Sequence, residues 1–139
     1  QKHRFASSAT AEALFIILLN ELNQFGLYSY YGVDPTIKPI LDYICKNYKT
    51  ATLNSVAEKF SYTPNYLGKL ILKHTGKTYS ELIKEIKLNA AEKLLSNNDL
   101  SIEDIIYEVG YSSNSYFFKL FREKHGITPT EYRKKLIIR

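Results

Sequence analysis

Apolar residues recur three and four positions apart along most of this chain, and residues with helix-capping chemistry interrupt them at short intervals. Ala11, Phe15, Leu18, Leu22 and Phe25 mark a first helix over about 8–25. Its segment Leu14 to Leu19 is apolar all round, so this helix must be buried against something. Gly26 opens a linker, GLYSYYGVDPT, that Asp34-Pro35 closes. A helix from about Thr36 to Tyr48 then places Ile37, Ile40, Leu41, Ile44 and Cys45 on one face. Thr52 caps a short helix ending near Phe60, and Thr63-Pro64 starts another that stops at Gly76. Thr78 with Glu81 forms a capping-box pattern and begins a longer helix reaching about Ser96, where SNND breaks it. Ser101 with Asp104 opens a short helix to Val109. Ser112 or Ser113 opens the next, which ends at Gly126, and Thr128-Pro129-Thr130-Glu131 opens the last. No stretch reads as a strand. The expectation is an all-α chain with seven helices after the linker.

The chain repeats itself. At an offset of about 49, Leu53, Val56, Ala57, Phe60 and Tyr62 fall on Ile102, Ile105, Ile106, Val109 and Tyr111. After one inserted serine, Leu67, Lys69, Leu70, Gly76, Thr78 and Glu81 fall on Phe117, Lys119, Leu120, Gly126, Thr128 and Glu131. Each copy is a short helix, a tight turn at Ser61-Tyr62 or Gly110-Tyr111, and a second helix, which is the helix-turn-helix unit. The first unit covers about 52–76 and the second about 101–126. A linker helix over about 78–96 joins them, and a final helix covers about 128–137.

Projection onto a helix sorts the side chains of each second helix. Tyr66, Leu67, Leu70 and Ile71 face inward in the first copy, as do Tyr116, Phe117, Leu120 and Phe121 in the second. Asn65, Lys69 and Leu72 face out; so do Ser115, Lys119 and Arg122, with Phe118 at the boundary and Asn114 near the start. For one helix alone this outer face is ordinary solvated surface. Both copies, however, are short-polar at the helix start and cationic one turn later, which suits entry into a major groove N-terminus first. The linker helix would be about 25 Å long at 1.5 Å per residue, a strut able to hold two reading helices about one DNA turn apart. Its stripe of Leu82, Ile83, Ile86, Ala90 and Leu94 would bind it to both units. Lys84, Lys87 and Lys93 are candidates for the DNA backbone, or simply for solubility.

Charge is consistent with a polyanionic partner. The net charge is +5, and residues 33–139 carry all of the excess. Cys45 is the only cysteine, so no intrachain disulfide can form; its apolar setting reads as core. His3, His74 and His125 share no metal-ligand spacing, and no phosphate loop or nucleophile motif occurs, so neither an enzyme nor a cofactor is expected. His74 and His125 close their helices, where a cation favours the dipole. No apolar run is long enough to span a bilayer. A chain that lacks methionine and begins at Gln1 reads as a piece of a longer protein.

With these residues in hand, 36–139 resembles the DNA-binding domain of the AraC/XylS family of bacterial transcription regulators. KLNAAEKLL (87–95) and SIEDIIYEVGYSSNSYFFKLFREKHGITPTEYRKKL (101–136) carry the resemblance. It implies a seven-helix, two-lobed domain in residues 33–139, with reading helices over about 63–75 and 113–125 in successive major grooves. It implies base-reading sites at Asn65, Gly68, Lys69, Asn114, Ser115, Phe118 and Lys119, and backbone contacts from Thr63, Ser112, Ser113 and Arg122. Gly68 brings no side chain to such a site; it either allows close approach or leaves a base unread. Leu72 stands where the second copy has Arg122, and Phe118 either packs on a thymine methyl or belongs to the core. Residues 1–32 would be the last helix and linker of an absent sensor and dimerisation domain, through which alone a small-molecule effector would act. Further implied partners are promoter DNA, RNA polymerase and a second copy of the chain, joined through helix 8–25 or the absent domain. The implied location is the bacterial cytoplasm, with no membrane contact. The competing reading is a helical protein–protein interaction module using the same outer faces.

Overall fold

The computed structural model describes residues 34–138, so the helix expected at 8–25 and most of the linker after it lie outside the described residues. Among the described residues there are seven helices and no strand: α1 (Lys38–Lys46), α2 (Leu53–Lys59), α3 (Pro64–Thr75), α4 (Tyr79–Leu95), α5 (Ile102–Glu108), α6 (Asn114–His125) and α7 (Pro129–Ile138). The chain divides into two compact units, one ending at Ile86 and the other beginning at Lys87, with α4 contributing to both.

Local chemistry sets the helix starts. Thr63 Oγ1 accepts from Tyr66 N–H and Ser113 Oγ from Tyr116 N–H, both at 3.2 Å. The boxes at Thr78–Glu81, Ser101–Asp104 and Thr128–Glu131 are closed in both directions. At Thr52 the partner is Ser55, which plays the part usually taken by Glu or Gln. Each such cap contributes about 1 kcal/mol. Gly76 and Gly126 end α3 and α6 with φ of 74° and 75°, their N–H groups donating to Leu72 and Arg122 carbonyls. α1 is shorter than its apolar pattern: residues 35–37 form a turn on Asp34, and Asn47 folds its own amide back onto the Tyr43 carbonyl.

The first unit has an aliphatic core. Ile37, Ile40, Leu41, Ile44 and Cys45 meet Val56 and Ala57 of α2, Leu67 and Ile71 of α3, and Leu82 and Ile86 of α4. Burial, helped by nearby Asp42, pushes the Cys45 thiol up to about 12, so it carries no reactive thiolate at neutral pH. Tyr79 reaches across to donate to the Ala51 carbonyl at 2.9 Å, which pins the loop before α2.

The second unit adds two fully buried rings to an aliphatic set of Leu88, Leu95, Ile105, Ile106, Val109 and Leu120. Phe117 and Phe121 are fully covered, 5.8 Å apart, with Tyr111 edge-on to Phe117 and Tyr132 edge-on to Phe121. The expected α4 stripe needs correction here. Leu88, Asn89, Ala91 and Leu95 are buried, whereas Ala90 and Leu94 are only half-buried. The first half of α4 serves one core and the second half another, so no single line of residues runs its length.

Both helix-turn-helix turns use the same backbone device. Tyr62 N–H reaches back to the Ala57 carbonyl (2.8 Å) and Tyr111 N–H to that of Ile106 (3.0 Å). The preceding residue takes a left-handed conformation, φ 60° at Ser61 and 92° at Gly110. Only glycine adopts this without strain. Gly110→Ala should therefore lower stability by about 1 kcal/mol or more, while Ser61→Gly should leave it unchanged or raise it slightly. Urea unfolding midpoints measure both, and an unaltered midpoint for Gly110→Ala would contradict the assignment.

Candidate nucleic-acid interface

α3 and α6 each begin at a hydroxyl cap and present a polar outer band. In the first unit Thr63, Asn65 and Lys69 are exposed and Gly68 is half-buried. In the second, Ser112, Ser113, Asn114, Ser115, Lys119 and Arg122 are exposed and Phe118 is half-buried. The spacing brings 65, 68, 69 and 72 onto one side of α3, and 115, 118, 119 and 122 onto the matching side of α6. Among the described residues, Lys69, Lys119 and Arg122 are not paired with any carboxylate. Thr63 and Ser113 spend their lone pairs on their own helices yet keep a hydroxyl proton to donate.

Individual positions sharpen the expectations. Phe118 lies edge-on to Phe117 at 6.4 Å, so it rests on the core with part of its ring outside. A methyl group added at Gly68 would sit 3.8 Å from Leu53 Cδ2, an ordinary contact, so packing within the unit does not demand glycine there. Leu72 is exposed, as projected. Tyr66 and Tyr116 are not core residues: they are 52% and 48% exposed. Each lies at the rim of the packed face, its ring against Tyr62 or Tyr111.

A set of side chains that periodicity did not single out holds α6 in place. Lys124 Nζ donates to Asn89 Oδ1 (2.6 Å) and to Glu92 Oε1 (2.7 Å), and His125 Nε2 lies 2.7 Å from that same oxygen. The His125 ring lies tilted against both Phe121 (4.4 Å) and Tyr132 (4.9 Å). His125 and His74 do lie in the last turns of α6 and α3, and each also meets a carboxylate of another segment, Glu92 at 2.7 Å and Asp34 at 3.9 Å. Lys87 is committed too, its ammonium donating to the Gly110 carbonyl at 3.3 Å and lying over the Tyr111 ring. Partial burial lowers its pKa. Arg133 donates to the carbonyls of Leu95 and Asn97 just past the end of α4. The only advance signal for these contacts is polar residues beside apolar ones on α4 and α6, which the sequence also shows where nothing comes of it.

Paired helix-turn-helix units with unpaired cations on the second helix of each define a class, the double helix-turn-helix DNA-binding domain. The family model described as a helix-turn-helix domain matches residues 56–135. An uncharacterized HTH-type transcriptional regulator of Escherichia coli K12, YijO, is 35% identical over 97 residues, 69% of this chain and 34% of its own length. The C-terminal domain of AraT, a response regulator from Geobacillus stearothermophilus, superposes with a TM-score of 0.69 at 31% identity, covering 75% of this chain and 88% of that one. A Chromobacterium violaceum transcriptional regulator with an AraC-type DNA-binding domain gives 0.67 at 25% identity, over 73% and 91%. The chain belongs to the AraC/XylS family, whose members here are DNA-binding transcription regulators, and comprises its helix-turn-helix DNA-binding domain. It spans about a third or less of the length of the curated relatives it matches. No described helix is long and apolar enough to cross a membrane.

Because α3 has room for a methyl group at Gly68, Gly68→Ala should raise stability by about 1 kcal/mol. If glycine is there so that the helix can approach a ligand closely, the same variant will bind DNA more weakly while melting at a higher temperature. Thermal unfolding and titration of one preparation check both.

Proposed function

We propose that this chain binds double-stranded DNA at promoters by inserting α3 and α6 into successive major grooves. Asn65, Gly68 and Lys69 would face bases in one groove, and Asn114, Ser115, Phe118 and Lys119 bases in the next. Thr63, Ser112, Ser113 and Arg122 would meet the backbone. The observation that carries this reading is the duplication itself. Two units with the same turn, the same hydroxyl cap and the same exposed lysine at the sixth helical position recur within one chain. Short polar groups at a helix start meet base edges, the helix N-terminus favours phosphate, and lysine reaches guanine or phosphate.

In this reading residues 33–139 are the DNA-binding domain, and residues 1–32 close a preceding domain that senses an effector and pairs two copies. The whole protein would act in the bacterial cytoplasm, alongside RNA polymerase. Leu72, standing where α6 has Arg122, leaves the first unit with one fewer phosphate contact.

Selection from a random duplex pool should enrich two short blocks centred about 34 Å apart, one helical turn. Lys69→Ala and Lys119→Ala should each cost about 1–3 kcal/mol of binding. Affinity should fall with salt by a slope of about −0.9 per neutralised phosphate. No enrichment and no effect of either substitution would transfer the lead to protein–protein interaction.

A further inference from the structure

The two reading helices can be laid on each other residue for residue. Both are 12 residues long and both follow a hydroxyl cap. Along them just three pairs are identical: Tyr66 and Tyr116, Lys69 and Lys119, Leu70 and Leu120. The leucines are covered or half-covered, so packing accounts for them. The lysines already have a part in the reading above. The tyrosines have neither explanation, because about half of each is exposed.

Apart from the shared lysines, the positions assigned to bases differ between the helices: Asn65 is matched by Ser115 and Gly68 by Phe118. A duplex offers two reading helices different bases but the same sugar–phosphate backbone. An outward residue that is alike in both helices, and whose chemistry does not single out one base, therefore suits the part of the duplex that is alike. At about 100° per residue, Tyr66 and Tyr116 fall on the opposite edge of the exposed band from 68 and 72 or 118 and 122, where one flank of a groove would pass.

Their chemistry agrees with that place. A phenol hydroxyl is a neutral donor suited to a phosphate oxygen. The backbone N–H groups of both residues are taken up by the Thr63 and Ser113 caps, which leaves the hydroxyl as the polar group each can offer. Both rings are also held. Tyr66 lies 5.2 Å from the Tyr62 ring, and Tyr116 lies 6.0 Å from that of Tyr111, itself steadied by Phe117 and the Lys87 ammonium. A donor positioned beforehand loses little side-chain freedom on binding.

We infer that Tyr66 and Tyr116 are a matched pair of phosphate anchors, one on each reading helix, which set its register on the backbone without reading sequence. The inference rests on the two-groove reading above. The test compares this chain with its Tyr66→Phe and Tyr116→Phe variants on a duplex selected from the random pool and on an unrelated duplex of equal length. Each variant should bind both duplexes about tenfold more weakly. The salt slope should be unchanged, because a neutral hydroxyl displaces no counterion. The unfolding midpoint should also be unchanged, since the ring remains.

Unaltered affinity overturns the inference, and so does a loss confined to the selected duplex with a new preferred base. Lys119→Ala in the same assay separates the two levels. If it too leaves binding intact, the two-groove reading has failed; if it weakens binding while the phenylalanine variants bind normally, only the tyrosine anchors have. A second measurement replaces single phosphates of the selected duplex by methylphosphonate. For each tyrosine one such change should cost the phenylalanine variant less than the unaltered chain, whereas equal losses at every phosphate overturn the pairing.

Discussion

Each helix-turn-helix unit turns on one residue held in the left-handed region. With Ser61 or Gly110 there, the next amide can reach back five residues to Ala57 or Ile106 and close the turn. That bond fixes where the second helix leaves the first, and so which of its faces the core receives. Leu67 and Ile71, or Phe117 and Phe121, then enter the interior completely. The opposite side of the helix is left to the solvent by the same rotation. A unit with a slack turn could bury its apolar residues in several ways, and the outer band would have no defined direction.

The two units reach one backbone pattern by different means. The first fills its interior with branched aliphatic residues and a cysteine, which pack without polar obligations. The second adds edge-on and tilted rings and sets a polar cluster beside them, in which one Glu92 oxygen serves both Lys124 and His125 while Asn89 also accepts from the lysine. Such clusters contribute little net stability compared with apolar substitutes, and their attested use is to specify one arrangement among several. Lys87 does the same for the second turn by holding the Gly110 carbonyl. The first turn is closed by backbone bonds, from Ser61 N–H to the Glu58 carbonyl and from Tyr62 N–H to that of Ala57.

Helix punctuation was readable from the chain because it is local. A cap, its box partner and the closing glycine lie within a few residues, so Thr78–Glu81, Ser101–Asp104, Thr128–Glu131, Gly76 and Gly126 announce themselves. The repeat was readable because the same local signals recur in order in both copies. Burial at the rim was not, since projection treats a helix as having one buried side. Tyr66 and Tyr116 fall on that side by angle but at its edge, and only the neighbouring tyrosine decides how much of each ring is covered. The shift of the α4 stripe and the commitment of Lys87, Lys124, His125 and Arg133 depend on partners 23 to 38 residues away, beyond the reach of any periodic pattern.

The nearness of those capping partners bears on how the chain reaches its structure as well as on where its helices begin. Bonds that close over three to five residues form without first bringing distant segments together, so most of the loop-closure entropy is met in small steps. Chains dominated by such contacts fold in microseconds to milliseconds. With ribosomes adding about 5–20 residues per second, each unit has time to form as soon as its own sequence is available. The hydroxyl and glycine residues that mark the helix ends therefore also make the order of synthesis a workable order of assembly.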